Sequence, residues 1–352
     1  MQKPSVLVTF DSMKNSNSGY YSFGKGLGDA LLKQNNNRFN LTYYLFKITT
    51  YFNKRVNIMH LYRLHRLFFP HGREFDVVHF TDQNCRLRPY RVSAKKVMTV
   101  HDINNVHLAF KSRRNVDKRV NKLRKLISYC DRVVAISKFV ADDVIRLIPE
   151  AAFKMSVIYN GADKLIVSEG HKPAQAPAEP FLFTIGLLSP QKGFHYLPAL
   201  LEDNDLRLVI AGIETPHKAN IIAAAEKFGC RDRVIITGPI SDDDKAWYFK
   251  NCLAFVFPSI AEGFGLPVIE AMHFGKPVFL ANATSLPDVG GNAAYYFNNF
   301  EADHMQHVFK TGLQDHIENN CAEAVMAHAA KFSWEHAAEQ YMAVYDELLI
   351  EK

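Results

Sequence analysis

The feature that most constrains this chain is an alternation that runs through it twice. Short apolar runs of strand length recur, and each gives way to a turn and then to a stretch of helical periodicity. In the first half Ser5–Phe10, Phe75–Phe80, Lys96–Asp102 and Arg132–Ile136 read as strands. Tyr20–Gln34, Asp117–Cys130 and Lys138–Leu147 read as helices, the last with Ser137 as its cap. Ser156–Gly161 adds a strand and an Asn-Gly turn, and Lys164–Pro180, with three prolines, reads as a linker. The pattern then restarts. Phe181–Ile185, Leu206–Ala211, Val234–Thr237, Leu253–Phe257 and Lys276–Leu280 are expected strands. Lys218–Phe228, Asp242–Asn251 and a stretch from about Phe194 are expected helices, and a closing helix starts at Ser333. Two rounds of strand and helix around a linker predict an α/β protein of two doubly wound, Rossmann-like domains.

Composition narrows the class. Of 352 residues 48% are hydrophobic and 22% charged, as in ordinary soluble globular proteins. No apolar run approaches the roughly 18 residues of a membrane span. Met1–Phe10 is short and strand-like rather than leader-like, so a cytoplasmic location is expected. The five cysteines are scattered without Cys-x-x-Cys pairs, which points to free thiols rather than disulfides or zinc. Asn40-Leu-Thr42 and Asn282-Ala-Thr284 spell glycosylation sequons but mean little without export. Charge is uneven. Residues 1–180 carry 30 Lys and Arg against 14 Asp and Glu, whereas the remainder carries 12 against 22. The basic excess is densest at 111–125, where Lys118, Lys122 and Lys125 share one helix face. That split suggests domains facing different partners, with an anionic surface near the first.

The most informative stretch is Glu262-Gly-Phe-Gly-Leu-Pro-Val-Ile-Glu-Ala-Met272. The strand before it ends at Pro258 and Ser259. Gly263 and Gly265 permit a tight bend and close approach to a ligand. Pro267 suits the first turn of a helix, whose free N–H groups favour an anion. Glu270 falls on that helix, eight residues beyond Glu262. The pattern is a strand, a glycine turn and a helix start, flanked by two carboxylates.

With Phe264, Leu266, Pro267, Ala271 and Met272 as filling, this string resembles the Glu-x7-Glu signature of family 4 retaining glycosyltransferases. The resemblance implies the GT-B fold, with a donor/acceptor cleft between its domains. It implies an acceptor-side domain at 1–165, a linker at 166–180 and a nucleotide-sugar domain at 181–339, with about 340–352 packing back on the first. Glu262 is then expected on the donor sugar and Glu270 on the ribose, with the amides of Phe264, Gly265 and Leu266 near sugar and phosphate. Lys192, in the turn Gly186-Leu-Leu-Ser-Pro-Gln-Lys-Gly193, is expected on the diphosphate. Leu187 stands where the family often has arginine, so another cation would have to complete the clamp. Gly19 matches the family's first glycine loop, and His101, in Val-His-Asp, matches the histidine that lines the sugar pocket. His79, which also ends a strand, is a second histidine to weigh. Gly186, Gly238, Ile240 and Gly263 complete the expected donor set, with His101, Glu262 and Lys192 as the catalytic residues.

The implied activity is transfer of a hexose to a lipid-linked or polysaccharide acceptor in bacterial lipopolysaccharide or other surface-polysaccharide synthesis. The protein would work as a peripheral enzyme at the inner face of the cytoplasmic membrane, held through the basic first half. The turn before Lys192 and Ser285-Leu-Pro-Asp288 resemble mannose-using members, which puts GDP-mannose first and leaves UDP-hexoses open. No cofactor is expected. Asp203-Asn-Asp205 and Asp242-Asp-Asp244 read as a turn and a helix start rather than metal ligands. No interleaved aromatic–basic motif suggests nucleic acid. The alternatives are a GT-B nucleotide-sugar epimerase or hydrolase, and a non-catalytic membrane-binding protein.

Overall fold

The computed structural model describes residues 3–14, 18–108 and 112–350. The loop residues Asn15, Ser16 and Asn17, Lys111 of the basic run and the last two residues therefore lie outside the described residues. The chain forms two compact units, Met1–Gly161 with Ser333–Lys352, and Ala162–Phe332.

The first unit is built on a parallel sheet of β1 (Ser5–Thr9), β2 (Asn40–Leu45), β3 (Asn57–His60), β4 (Val77–Phe80), β5 (Lys95–Val100), β6 (Arg132–Ala135) and β7 (Met155–Val157). Their order is β3-β2-β1-β4-β5-β6-β7. β1 sits inside it because Val6, Leu7 and Val8 are buried to the last atom, and Val6 aligns with Leu41 on one side and Val77 on the other. Helices α1 (Gly19–Gln34), α2 (Arg113–Ser128) and α3 (Lys138–Leu147) cover the sheet. Ser18 and Ser137 accept the N–H groups of Tyr21 and Val140, so both helix starts are capped by their own side chains.

In this unit two strands, β2 and β3, were not legible in the sequence. Asn40, Thr42 and Asn57 give them polar positions that blur the apolar pattern, and β3 has four residues. α2 starts at Arg113 rather than Asp117, after Ser112.

The closing helix, Trp334–Ile350, belongs to this unit from its first turn. Trp334 packs its indole where a Cβ on Gly26 of α1 would have to go, and meets Phe23 edge-on at 5.6 Å. Further along, the Tyr345 hydroxyl lies 2.6 Å from His79 Nδ1, and the Tyr341 hydroxyl 2.9 Å from Thr99 Oγ1. His79 Nε2 completes the network at 2.8 Å from Thr99 Oγ1. His79 is thus a core residue that anchors the helix. Burial pushes its pKa down to about 3, so it stays neutral there.

The second unit repeats the plan. β8 (Phe181–Ile185), β9 (Arg207–Ala211), β10 (Val234–Gly238), β11 (Ala254–Phe257), β12 (Val278–Ala281) and β13 (Tyr295–Phe297) form a parallel sheet in the order β10-β9-β8-β11-β12-β13. Its helices are α4 (Lys218–Lys227), α5 (Asp242–Asn251), α6 (Leu266–Met272), α7 (Leu286–Gly290), α8 (Ala302–Glu318) and α9 (Ala322–Ala329). The expected helix from Phe194 is a run of 3-10 turns, Phe194–Leu201, because Pro198 lies inside it and cannot donate to an α ladder. The division between units falls at Gly161/Ala162 and Phe332/Ser333. The fold class is the expected one, two Rossmann-like domains.

Candidate functional site

In the second sheet β8 and β11 are neighbours, yet the chain leaves them toward opposite edges. Ligands of doubly wound sheets bind outside the carboxyl ends of strands at such a switch point. The turn Gly186–Gly193 follows β8 and the turn Pro258–Gly265 follows β11, so the two most informative sequence turns meet there.

Hydrogen bonds lock them together. Pro190–Lys192 makes one 3-10 turn, ended by Gly193 in the left-handed region at φ +68°. A Cβ at Gly193 would overlap the Pro258 carbonyl oxygen, so only glycine allows the turns to touch. Ile260 N–H donates to the Gln191 carbonyl at 3.0 Å, the Ser259 hydroxyl donates to the same oxygen at 3.3 Å, and the Gln191 amide donates to the Ala261 carbonyl. On the other side Glu262 N–H donates to Thr284 Oγ1 at 2.9 Å, and the Ser285 hydroxyl to the Glu262 carbonyl at 3.0 Å. Glu262 is held between both neighbours.

Two acid–cation pairs result. Lys192 Nζ donates to Glu262 Oε1, with side chains 19% and 12% exposed, and the ammonium lies 5.0 Å from the centre of the Phe257 ring. The Lys192 stem runs beside Gly186, where a Cβ would sit 3.4 Å from Cε. Glu270, on α6, accepts from Lys245 Nζ at 2.9 Å, with side chains 8% and 15% exposed. Lys245 comes from α5, which starts with a Ser241–Asp244 capping box. Burial lowers the Lys245 pKa, but the Glu270 charge and its hydrogen bond outweigh that, and the net shift is upward. The ammonium form is therefore the resident one.

The other expected donor positions of this unit also fall in turns after its strands. Gly265, at φ +98°, starts α6, with Leu266 and Pro267 in its first turn. Phe264 turns its ring into the core against Phe332, 5.7 Å between ring centres, so its backbone rather than its ring borders the site. Gly263 lies between these and Glu262. Gly238 ends β10, and a Cβ added there meets nothing within 4 Å. Ile240 follows, half-buried, in the turn that leads into α5. Leu187 is 46% exposed, and the Lys245 ammonium is spent on Glu270 instead.

The other two expected residues belong to the first unit. His101 follows β5 and is buried between Phe23, 4.5 Å away edge-on, and Tyr20, 4.9 Å away. Its Nε2–H donates to the Thr81 carbonyl at 2.7 Å, and its backbone N–H to Gln83 Oε1 at 3.1 Å. That bond fixes which ring nitrogen carries the proton in the neutral form. Gly19 opens α1, and a Cβ there meets nothing within 4 Å.

Sequence reasoning missed Lys245, Gln191, Thr284 and Ser285. Lys245 had one available signal, a cation in the first turn of a helix that otherwise opens with three acids. The others act through loop contacts that only the fold brings together. The acids of Asp242-Asp-Asp244 have structural partners. Asp244 caps α5 and accepts from His171 at 2.8 Å, Asp243 accepts from the Ser168 hydroxyl, and Asn204 closes its own turn. Among the described residues no three His, Cys, Asp or Glu side chains gather as a metal site.

Residues 31–164 match the model of Glycosyltransferase Family 4, and residues 169–327 that of Glycosyl transferases group 1. The serotype-specific mannosyltransferase WbdA of Escherichia coli is 28% identical over 231 residues, covering 63% of this chain and 28% of the relative. The chain thus spans less than a third of that relative's length. The O-antigen chain mannosyltransferase B of Escherichia coli is 26% identical over 278 residues, 73% of this chain and 71% of the relative. Anabaena HepE, solved with UDP and glucose, superposes with a TM-score of 0.73 at 17% identity, covering 98% of this chain and all of that one. With each half matched by a glycosyltransferase model and two Rossmann-like domains in its fold, this chain belongs to family 4 of the GT-B glycosyltransferases.

Proposed function

We propose that this protein is a retaining glycosyltransferase that moves a hexose from a nucleotide-sugar to a lipid-linked or polysaccharide acceptor. The observation that carries the reading is the two acid–cation pairs at the carboxyl end of the second sheet, Lys192–Glu262 and Lys245–Glu270. A nucleotide-sugar offers a diphosphate and two sets of hydroxyls. A carboxylate only accepts and suits hydroxyls, whereas an ammonium suits phosphate. Glu262 then takes the hexose, Glu270 the ribose and Lys192 the diphosphate, a charge-assisted contact contributing about 1.5–3 kcal/mol. The backbone of Gly263–Leu266 lies beside them, and Gly186, Gly238 and Ile240 border the nucleotide.

Bond breaking in such a donor develops positive charge on the sugar and negative charge on the departing diphosphate. Lys192 stabilises the second and Glu262 the first. The departing phosphate accepts the acceptor's proton on the same face of the sugar, which retains configuration without a covalent enzyme intermediate and without a metal. His101, which like Gly19 belongs to the acceptor-side unit, contributes to the sugar's transition state. WbdA and the O-antigen enzyme are named as mannosyltransferases and HepE was solved with UDP and glucose, so GDP-mannose is the first donor to test and UDP-glucose the second. The acceptor is assigned to the basic unit and to surface-polysaccharide synthesis at the cytoplasmic face of the membrane, with Lys118, Lys122 and Lys125 of α2 toward anionic lipid.

The test is product formation. Protein is incubated with each nucleotide-sugar and lipid extract from polysaccharide-producing cells, and products are read by mass spectrometry and by the anomeric proton resonances. An acceptor heavier by one hexose, with the donor's anomeric configuration, is expected. Free sugar alone points to a hydrolase, and an inverted linkage removes the retaining mechanism.

A further inference from the structure

The first unit carries an exposed apolar turn that the donor site does not use. β3 ends at His60, and Leu61–Phe69 follows as a loop with one 3-10 turn at Arg63–Arg66. Three residues at intervals of four, Leu61, His65 and Phe69, point inward and are buried. His65 Nδ1 lies 3.0 Å from the Tyr44 hydroxyl, and Phe69 packs edge-on to both rings. The turn is thus pinned to the sheet, and everything between the pins faces out. Tyr62, Leu64, Leu67 and Phe68 are 63–70% exposed. Ile48, just past the end of the adjacent strand β2, is 70% exposed as well. A single exposed leucine means little, but four large apolar side chains in seven residues form a patch that water does not favour.

The surroundings of this patch are predominantly basic. From Ala30 to Arg73 the sequence contains no Asp or Glu, while Arg63 and Arg66 alternate with the exposed apolar residues. The basic helix α2 borders the same surface. Lys122 has its pKa lowered first by burial and then by the nearby charges of Arg88, Arg119 and Arg66, against a partial offset from Asp82. The Lys125 ammonium lies 6.0 Å from the centre of the exposed Tyr90 ring, which pairs with exposed Tyr129 at 5.6 Å. Arginine, lysine and tyrosine around a small apolar projection match the composition of surfaces that sit in the interfacial region of a bilayer. A second copy of the chain is a poorer occupant, because its own basic patch would face this one.

We propose that Tyr62–Phe68 is a membrane-insertion turn, whose Leu64, Leu67 and Phe68 enter the acyl boundary of an anionic bilayer while Arg63, Arg66 and the basic face of α2 contact its headgroups. This deepens the membrane part of the proposed function and rests on it, but needs neither donor nor acceptor. Charge on α2 steers the protein to the surface, and the turn holds it there. Binding therefore has a salt-sensitive part and a salt-resistant part.

Vesicle partition of the full chain tests this. Phosphatidylcholine vesicles with and without phosphatidylglycerol are compared, at low and high salt. Wild type is expected to bind the anionic vesicles and to keep a measurable fraction bound at high salt. Leu64→Gln with Leu67→Gln and Phe68→Gln touches only exposed side chains, so folding is retained. It should weaken partition about tenfold to a hundredfold and leave only salt-sensitive binding. Phe68→Trp should show a blue-shifted emission quenched by brominated acyl chains. A triple variant that binds like wild type, or an introduced indole that brominated lipid leaves unquenched, overturns the insertion turn. Self-association that the triple variant abolishes, without vesicle binding, overturns it in favour of a second copy. Lys118→Glu with Lys122→Glu and Lys125→Glu separates the two readings. If this variant binds normally while the glutamine variant does not, the α2 reading fails and the insertion turn stands. Wild type that binds no vesicle sinks both.

Discussion

Replacing Lys245 with methionine is the most telling perturbation of the candidate donor site. It removes an ammonium and leaves Glu270, 8% exposed, without the cation 2.9 Å away. Breaking one side of a buried ion pair costs about 3–5 kcal/mol, because the remaining charge is left uncompensated. Lys245 keeps 15% exposure, which puts the expected loss at the lower end, about 3 kcal/mol. For a domain of this size each kcal/mol lowers Tm by about 2–4 °C, so a fall of about 6–12 °C is expected in the second unit. Glu270→Gln added to Lys245→Met should recover more than half of the loss, since neither side then carries an unpaired charge. The assay is urea unfolding followed by Trp247 fluorescence. Trp247 lies on α5, two residues from Lys245, and a Trp334→Phe background leaves it the sole reporter. The sign with pH follows from the raised Lys245 pKa. Its stabilisation is complete below the ordinary lysine value of 10.5 and disappears only as pH rises through the folded value. The gap between wild type and variant should therefore be constant around neutrality and close in strong alkali. A variant within about 0.5 kcal/mol of wild type, or one that the second substitution makes worse, would refute the pairing argument.

Three further outcomes are expected from the proposed function. Glu262→Gln and His101→Asn should lower kcat far more than donor affinity, measured by steady-state kinetics beside direct binding; normal turnover with poor binding would reassign both to ground-state contacts. Transfer should continue in excess EDTA, and activity lost to the chelator and restored by magnesium or manganese would reopen the role of the Asp-rich segments. Gly193→Ala should destabilise the second unit by at least about 1–3 kcal/mol, from the left-handed backbone and the overlap with the Pro258 carbonyl, and should weaken nucleotide binding with it. Calorimetry of that variant with an unmoved transition would show that the two turns are not held as described.

The periodic parts of the fold were readable because their physics is local. Val6, Leu7 and Val8, or Phe255, Val256 and Phe257, announce buried parallel strands by being apolar on both faces, and Ser137 announces a helix start. β2 and β3 were not readable, since their mixed polar positions become strands only by pairing, β2 with β1 and β3 with β2. The 3-10 run at Phe194–Leu201 shows a single residue, Pro198, overriding an otherwise helical pattern. At the site, Glu262, Glu270 and Lys192 stood out through motif and turn chemistry. Lys245 did not, because its partner lies 25 residues away on another helix. His79 and His101 each end a strand, and the Val-His-Asp resemblance set only His101 apart. The packing locks His79 between Tyr345 and Thr99, whereas His101 follows its strand beside Tyr20.

In the proposed function the second unit holds a nucleotide-sugar through Lys192 and Glu270. Isothermal titration of GDP, UDP, GDP-mannose and UDP-glucose into wild type, Lys192→Ala and Glu270→Gln, with EDTA present, tests it most directly. Wild type is expected to bind one of these nucleotides with its sugar form. Lys192→Ala should weaken that binding roughly tenfold to a hundredfold, and Glu270→Gln should weaken it for the ribonucleotide more than for its 2′-deoxy counterpart. Affinities unchanged in both variants would contradict it.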